Sequence, residues 1–275
     1  EVILAKSAGF CFGVARAVRM AQELAGSGQP ARMLGTVIHN STVVEDLAGR
    51  GVGVIHSPEE AQTGEAVLLR AHGASRQVYE ALRARGARIV DATCPKVARV
   101  REIVQQAEGE GRRCVMIGDK NHPEVAGIAG WCRDLLVFSG PDDLSAAFTE
   151  GILTRDMLLT VVSQTTLIRS VWENSLKILK NQCTNLKIFD TICSATHIRQ
   201  SEAASLAAKV DAMVVVGDPK SANTKHLTEI CRAYCSRVFQ IENADELSMA
   251  ELAGCRVVGL TAGASTPASI IKEVN

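Results

Sequence analysis

Three cysteines in this 275-residue chain share one context: Cys11, Cys94 and Cys193 each follow a strand-like apolar run and precede a helical pattern. They are separated by 83 and 99 residues. Two have a matching approach, Asp91-Ala92-Thr93-Cys94 and Asp190-Thr191-Ile192-Cys193, while Cys11 lies between Phe10 and Phe12, flanked by Gly9 and Gly13. A helix N-terminus favours negative charge, so a thiol placed there ionises readily. A buried apolar cysteine is the commoner role for any one of them, but three in matched contexts favour a shared metal. Iron–sulfur clusters normally take four thiolates. Three without a local fourth predict a [4Fe–4S] cluster with one open iron, able to act as a Lewis acid. Zinc held by three cysteines and a histidine is the competing assignment and predicts a closed, inert site.

The polar segments ask for more than an inert metal. His39, His72 and His122 each stand just beyond a strand-like run, in segments rich in Gly, Asn and Ser. Imidazoles and free amides at helix starts bind anions. Ser221-Ala222-Asn223 and the Thr261–Pro267 stretch, containing Ser265, add small donors between strand and helix. There is no Walker A loop and no Gly-x-Gly-x-x-Gly after a strand, so those nucleotide sites are unsupported while a phosphate or diphosphate site is not. Glu124, two residues past His122, can relay protons or serve as an ordinary helix-start acid. Thr165 or Thr166 can cap the next helix or bond a substrate hydroxyl. His56 reads as a surface loop, and His197 and His226 as residues within helices.

The elements that must position these residues alternate. Strands are predicted at Val2–Ala5, Met33–Ile38, Ala66–Arg70, Arg88–Ala92, Cys114–Ile117, Leu135–Phe138, Met157–Ser163, Lys187–Asp190, Ala212–Gly217, Val238–Ile241 and Arg256–Thr261. Helical patterns lie between them, among them Val14–Ala25, Val97–Glu108, Ile168–Lys180, Arg199–Lys209 and Asn223–Tyr234. This is α/β with mostly parallel sheets. Three small α/β units, each presenting a cysteine from a strand's carboxyl end, can converge on one centre.

Composition sets the outer bounds. Hydrophobic residues make up 47% and charged residues 22%, which excludes general disorder. Thirty basic against thirty acidic side chains leave a net charge of zero, and aromatics are only 4%. Neither suits a nucleic-acid partner. No apolar run approaches the ~18 residues a membrane span needs. The first residues read as a strand rather than a signal peptide. Nine cysteines, an odd number, argue against a disulfide framework and for a reducing, cytoplasmic compartment. Cys114, Cys132, Cys183, Cys231, Cys235 and Cys255 read as structural, with Cys231 and Cys235 on one helix and Cys183 in a polar loop.

Together these segments resemble the IspH/LytB family of 4-hydroxy-3-methylbut-2-enyl diphosphate reductases. The resemblance is carried by Gly9-Phe10-Cys11-Phe12-Gly13-Val14, Ile38-His39-Asn40, Ala71-His72-Gly73, Asp91-Ala92-Thr93-Cys94-Pro95 and His122-Pro123-Glu124-Val125-Ala126-Gly127. It continues through Ser163-Gln164-Thr165-Thr166, Asp190-Thr191-Ile192-Cys193 with Arg199-Gln200, Ser221-Ala222-Asn223 and Thr261-Ala262-Gly263-Ala264-Ser265, covering nearly the whole chain in the family's order.

The resemblance implies three pseudo-equivalent α/β lobes around a central cluster cavity, spanning 12–94, 95–190 and 191–275, the last joined by the N-terminal strand in 1–11. It implies a [4Fe–4S] cluster on Cys11, Cys94 and Cys193 with one open iron. His39, His72, His122, Ser221, Asn223 and Ser265 would hold a substrate diphosphate, and Thr165 and Glu124 would handle its hydroxyl and proton delivery. The family removes an allylic hydroxyl by two-electron reduction, the last step of the non-mevalonate isoprenoid pathway. It releases isopentenyl and dimethylallyl diphosphate, with electrons from ferredoxin or flavodoxin. The family commonly has Ser-Ser-Asn where this chain has Ala222 in the middle. One lost hydrogen bond costs ~1 kcal/mol, and the Ala222 amide is expected to take its place. The simple bacterial form, without an appended domain, is expected. A quinolinate synthase-like dehydratase would need no reductant, but the His122–Val125 and Thr261–Ser265 segments argue against it. A non-catalytic iron or zinc redox sensor would leave His39, His72 and His122 without a role.

Overall fold

The computed structural model describes residues 1–38 and 40–275. From the N-terminus, strand β1 (Val2–Leu4) leads to α1 (Phe12–Gly26), β2 (Ala31–Leu34), α2 (Ser41–Gly49) and β3 (Val52–Ile55). Next come β4 (Ala66–Leu69), α3 (Arg76–Ala84), β5 (Arg88–Asp91), α4 (Pro95–Gly109), β6 (Arg113–Ile117), α5 (Pro123–Ala129) and β7 (Leu135–Phe138). Then follow α6 (Pro141–Thr149), β8 (Leu158–Ser163), α7 (Arg169–Gln182), β9 (Asn185–Ile188) and α8 (Ser194–Ala207). The chain ends with β10 (Ala212–Val216), α9 (Ala222–Tyr234), β11 (Val238–Ile241), β12 (Val258–Ala262) and α10 (Ala268–Val274).

These strands form three four-stranded, wholly parallel sheets with one shared plan. Their orders are β3-β2-β4-β5, β7-β6-β8-β9 and β11-β10-β12-β1. The third sheet repeats the plan by taking its last strand from the chain's start: β1 pairs with β12, Val2 beside Val258 and Leu4 beside Leu260. Residues 1–19, 38–46 and 194–275 form one compact unit, which contains the third sheet. Residues 20–37 and 47–193 form the other, with the first two sheets.

A parallel sheet needs crossover helices, and these cover its faces. Two central strands are accordingly apolar throughout, β4 (Ala66–Leu69) and β10 (Ala212–Val216), and every residue of both is buried. In the second sheet, Val115, Ile117, Leu159 and Val161 pack with Leu144, Trp172 and Leu179 on one face. Met116 and Val162 pack with Val100, Val104, Val125 and Ile128 on the other.

Several boundaries differ from the sequence reading. The strand predicted at Met33–Ile38 ends at Leu34, because Gly35 takes a left-handed φ of 68° and turns the chain out of the sheet. The helix predicted from Arg199 begins five residues earlier, directly after Cys193. Asp190 lies past its strand, which ends at Ile188. Cys183 stands in the loop after α7, as expected, and is buried against the second sheet's core. Cys235 is not on the helix of Cys231 but closes it in extended geometry.

Trp172 is among the largest fully buried side chains. Trp172→Ala is expected to cost about 3–5 kcal/mol through lost contacts and the cavity left behind. Denaturant unfolding followed by circular dichroism checks this, and a loss below ~1 kcal/mol would show that the second sheet's core does not depend on this side chain.

Candidate active site

All strands of a parallel sheet end at one edge, and that edge is where sites form. Each sheet brings three segments there. The last strand in each order (β5, β9 and β1) leads to a cysteine. Cys94, Cys193 and Cys11 each stand immediately before the first residue of a helix: α4, α8 and α1. Each cysteine amide donates to a carbonyl in the loop after the neighbouring strand. Cys94 donates to Ala71 at 2.9 Å, Cys193 to Thr165 at 2.9 Å and Cys11 to Ala264 at 3.3 Å. In all three cases the acceptor is the second residue past its strand.

The shared Asp-x-x-Cys spelling has a local cause. The Asp91 carboxylate accepts the Thr93 amide at 2.8 Å, and that of Asp190 accepts the Ile192 amide at 3.3 Å. Both are turns in which the side chain takes the amide two residues on. A neighbouring helix holds each carboxylate: Tyr79 of α3 donates to Asp91 at 2.6 Å, and Arg169 of α7 pairs with Asp190. Burial alone would raise the Asp91 pKa, but the bonds from Thr93 and Tyr79 outweigh it and hold it below its ordinary value. The approach to Cys11 is fixed differently. Glu202 of α8 accepts the Lys6 and Ser7 amides, each at 2.8 Å, and buried Arg199 of the same helix donates to the Gly9 carbonyl.

The second segment follows the first central strand of each sheet and starts a helix with a polar cap. Asn40 Oδ1 accepts the Val43 amide at 3.0 Å. His122 Nδ1 accepts the Glu124 amide at 3.2 Å. Ser221 Oγ accepts the Thr224 amide at 3.5 Å. His39, expected beside Asn40, lies outside the described residues. Because His122 uses Nδ1 as an acceptor, its neutral form carries the proton on Nε2, leaving Nε2–H as a donor. Ala222 and Asn223 fill the first turn of α9, and the buried Asn223 Nδ2 has no hydrogen-bond partner among the described residues. Amides in a helix's first turn lack intrahelical acceptors.

The third segment follows the second central strand and carries His72, Thr165 and Ser265. The His72 and His122 rings meet edge to face, with centroids 5.3 Å apart. Half-buried Ser265 follows Ala264, the carbonyl partner of Cys11. Its loop joins the Ser221 loop through the Thr266 hydroxyl, which donates to the Val216 carbonyl at 2.9 Å. Close packing demands glycine at 263, where a Cβ would lie 2.4 Å from Thr224 Oγ1.

Glu124 and Thr165 form the most constrained pair. The Thr165 amide donates to Glu124 Oε1 at 2.7 Å and its hydroxyl donates to Oε2 at 2.6 Å. Glu124 is 1% exposed. Burial pushes its pKa up; the two Thr165 bonds oppose this and lose. Thr165 therefore does not cap the next helix, α7, whose capping residue is Ile168. The same Thr165 offers its carbonyl to Cys193, so one residue ties the buried carboxyl to a cysteine segment.

All nine cysteines are free thiols, and Cys11, Cys94 and Cys193 are half-buried. Among the described residues, no group of three or more His, Cys, Asp or Glu side chains lies close enough to enclose a metal ion. Taken one by one, each of the three is a thiol at a helix start with its backbone pinned, a chemistry suited to ligating iron as a thiolate. Sequence reasoning passed over Glu202 and the tethers Tyr79 and Arg169. Nothing in their spacing marks them, since their partners are distant in sequence. It named Arg199 and Gln164 without roles. Gln164 is buried, accepts the Asp119 amide at 3.0 Å and donates to Thr166 at 2.8 Å, bracing the loops around Glu124.

The model of the LytB protein family matches residues 2–275. The chain belongs to the LytB family. A LytB relative from Caldanaerobacter subterraneus, named 4-hydroxy-3-methylbut-2-enyl diphosphate reductase, is 42% identical over all of this chain and 95% of its own length. Another of that name, from Geobacter sulfurreducens, is 40% identical with the same coverage. A solved structure of (E)-4-hydroxy-3-methyl-but-2-enyl diphosphate reductase, described as the terminal enzyme of the non-mevalonate pathway, matches with a TM-score of 0.71 at 37% identity, covering 99% of this chain and 96% of that one. The Plasmodium falciparum E-1-hydroxy-2-methyl-but-2-enyl-4-diphosphate reductase gives a TM-score of 0.91 at 27% identity, over 98% of this chain and 85% of that one. The three-sheet α/β architecture is thus that of LytB structures. No described helix is long and apolar enough to cross a membrane.

The raised pKa of Glu124 in this LytB chain sets a pH dependence. Its folded value lies above the unfolded 4.5, so protonation contributes stability that is full below pH 4.5 and is lost as pH rises through the folded value. Relative to Glu124→Gln, the wild-type chain is expected to lose thermal stability as pH climbs from 4 to 8. A pH-independent difference in unfolding temperature would mean that the carboxyl pays no burial penalty.

Proposed function

We propose that the chain reduces (E)-4-hydroxy-3-methylbut-2-enyl diphosphate to isopentenyl and dimethylallyl diphosphate, the last step of the non-mevalonate pathway, using a [4Fe–4S] cluster held by Cys11, Cys94 and Cys193. The observation that carries this reading is Thr165, which bonds the buried Glu124 carboxyl and the Cys193 backbone together. The relatives' shared name supports the substrate class. The overall reaction takes two electrons and two protons and releases water. When bound, such a cluster supplies electrons singly and an iron free of protein ligands, neither of which side chains provide.

The protein's own residues do the rest. A hydroxyl leaves poorly until it is protonated. Glu124 holds a proton at higher pH than an exposed carboxyl, because burial disfavours its charge. The Thr165 hydroxyl, 2.6 Å from Glu124 Oε2, orients that carboxyl and offers oxygen to a substrate hydroxyl. His39, His72 and His122, with Ser221, Asn223, Ser265 and the Ala222 amide, are assigned to the diphosphate. His122 Nε2–H and Asn223 Nδ2, which has no partner among the described residues, are donors suited to it. Holding the diphosphate, remote from the bond that breaks, converts binding energy into alignment of the allylic alcohol. Electrons would come from an external ferredoxin or flavodoxin, in the cytoplasm.

The test is anaerobic purification followed by visible and paramagnetic resonance spectra with and without the allylic diphosphate. A cluster signal that shifts on adding substrate is expected. Cys94→Ser should lose or cripple the cluster, and Glu124→Gln should keep both cluster and binding while turnover falls about 100-fold or more. A cluster blind to the diphosphate, or normal turnover by Glu124→Gln, overturns the assignment.

A further inference from the structure

We propose that a cavity built around the Arg70 guanidinium binds a small molecule with a phosphate head and a short apolar body, at a site separate from the residues assigned to the reaction. The cavity has a volume of about 420 Å³, within the range of small-molecule sites. All its lining residues belong to the unit holding the first two sheets. His72, His122, Glu124 and Thr165 are not among them.

Arg70 is the observation that calls for a ligand. It ends the run β4–Arg70, and burial pulls its pKa below the ordinary value with no carboxylate acting against this. Among the described residues its side chain has neither an ion pair nor a hydrogen bond. A guanidinium carries five donors and stays charged, and a half-buried charge without a partner is costly. The nearest acidic turn does not supply one: Glu60 folds back onto the amides of His56 and Ser57, each at 2.9 Å. Gly35 lies directly against the guanidinium, where a Cβ would be in van der Waals contact at 3.4 Å.

The rest of the lining fits the two-part ligand. His56 lies exposed at the rim, and the Ser75 hydroxyl makes no capping bond although Ser75 stands at the start of nine-residue α3. Guanidinium, imidazole and hydroxyl together are a phosphate-binding set. Leu34, Leu69 and Val78 form an apolar wall, which gives an alkyl or alkenyl body somewhere to bury. The Arg70 site does not depend on the reaction, but the second site counted in the test rests on the proposed function, so loss of the His122 site alone would tell against that function and not against the Arg70 site.

The test is calorimetric titration of the anaerobic holoprotein with dimethylallyl diphosphate and, separately, with inorganic diphosphate. Two sites per chain are expected for the alkenyl probe. Arg70→Met should weaken one by about tenfold or more and leave the other intact; His122→Ala should do the reverse. Inorganic diphosphate should bind the Arg70 site more weakly, lacking the apolar body; equal affinity would reduce the ligand to a bare phosphate and overturn the two-part reading. Unliganded Arg70→Met should unfold no earlier than wild type, because an unpaired charge is removed. If that variant misfolds, Arg70 is structural and the proposal fails. His56→Ala with Ser75→Ala gives an independent check, and full affinity in that double variant also overturns it.

Discussion

The strand-end edge of each sheet depends on one repeated hydrogen bond. A chain leaving the edge strand of a parallel sheet must satisfy its backbone before it can start a helix. In each of the three sheets the cysteine amide does this by donating to the carbonyl two residues past the adjacent strand. The bond fixes two things together. It sets the cysteine at the helix start, where a thiolate is favoured, and it locks the neighbouring loop whose next residues carry His72, Thr165 and Ser265. A cysteine and the loop proposed to face the substrate are thus positioned by one contact in each sheet. The Asp91 and Asp190 turns and the Glu202 clamp are three local solutions to the same requirement.

The same economy explains why Glu124 can be buried. A carboxyl removed from water needs donors, and Thr165 supplies two from one residue while its carbonyl is already committed to Cys193. His122, at the cap of the helix that carries Glu124, is oriented by the Glu124 amide. Capping, acid placement and imidazole tautomer are therefore coupled. Arg70 is the counter-example, a charge on the same strand-end edge that has no side-chain partner among the described residues.

The extent to which the sequence was legible follows from the range of each interaction. Alternating apolar and amphipathic runs report short-range periodicity, so the α/β class and most strands could be read directly. The three strand–cysteine–helix contexts are local too, and they marked Cys11, Cys94 and Cys193. Local periodicity failed where one residue's conformation or one side-chain bond overrides it. Gly35 ends a strand whose apolar pattern continues to Ile38, and the Asp190 turn shifts both the strand before it and the helix after it.

By itself, the sequence determined which residue types stand at strand ends, and hence the chemistry available: three thiols, histidines, small donors and the Glu124 carboxyl. Only the tertiary structure decided what each touches. It made Thr165 the partner of Glu124 rather than a helix cap, drew β1 from the chain's start into the last sheet, and brought Tyr79, Arg169 and Arg199 to loops distant in sequence. It also set Arg70 beside a cavity with no side-chain partner among the described residues. The physical reason is that period and propensity act over a few residues, whereas burial and hydrogen-bond satisfaction depend on which segments the sheets bring side by side.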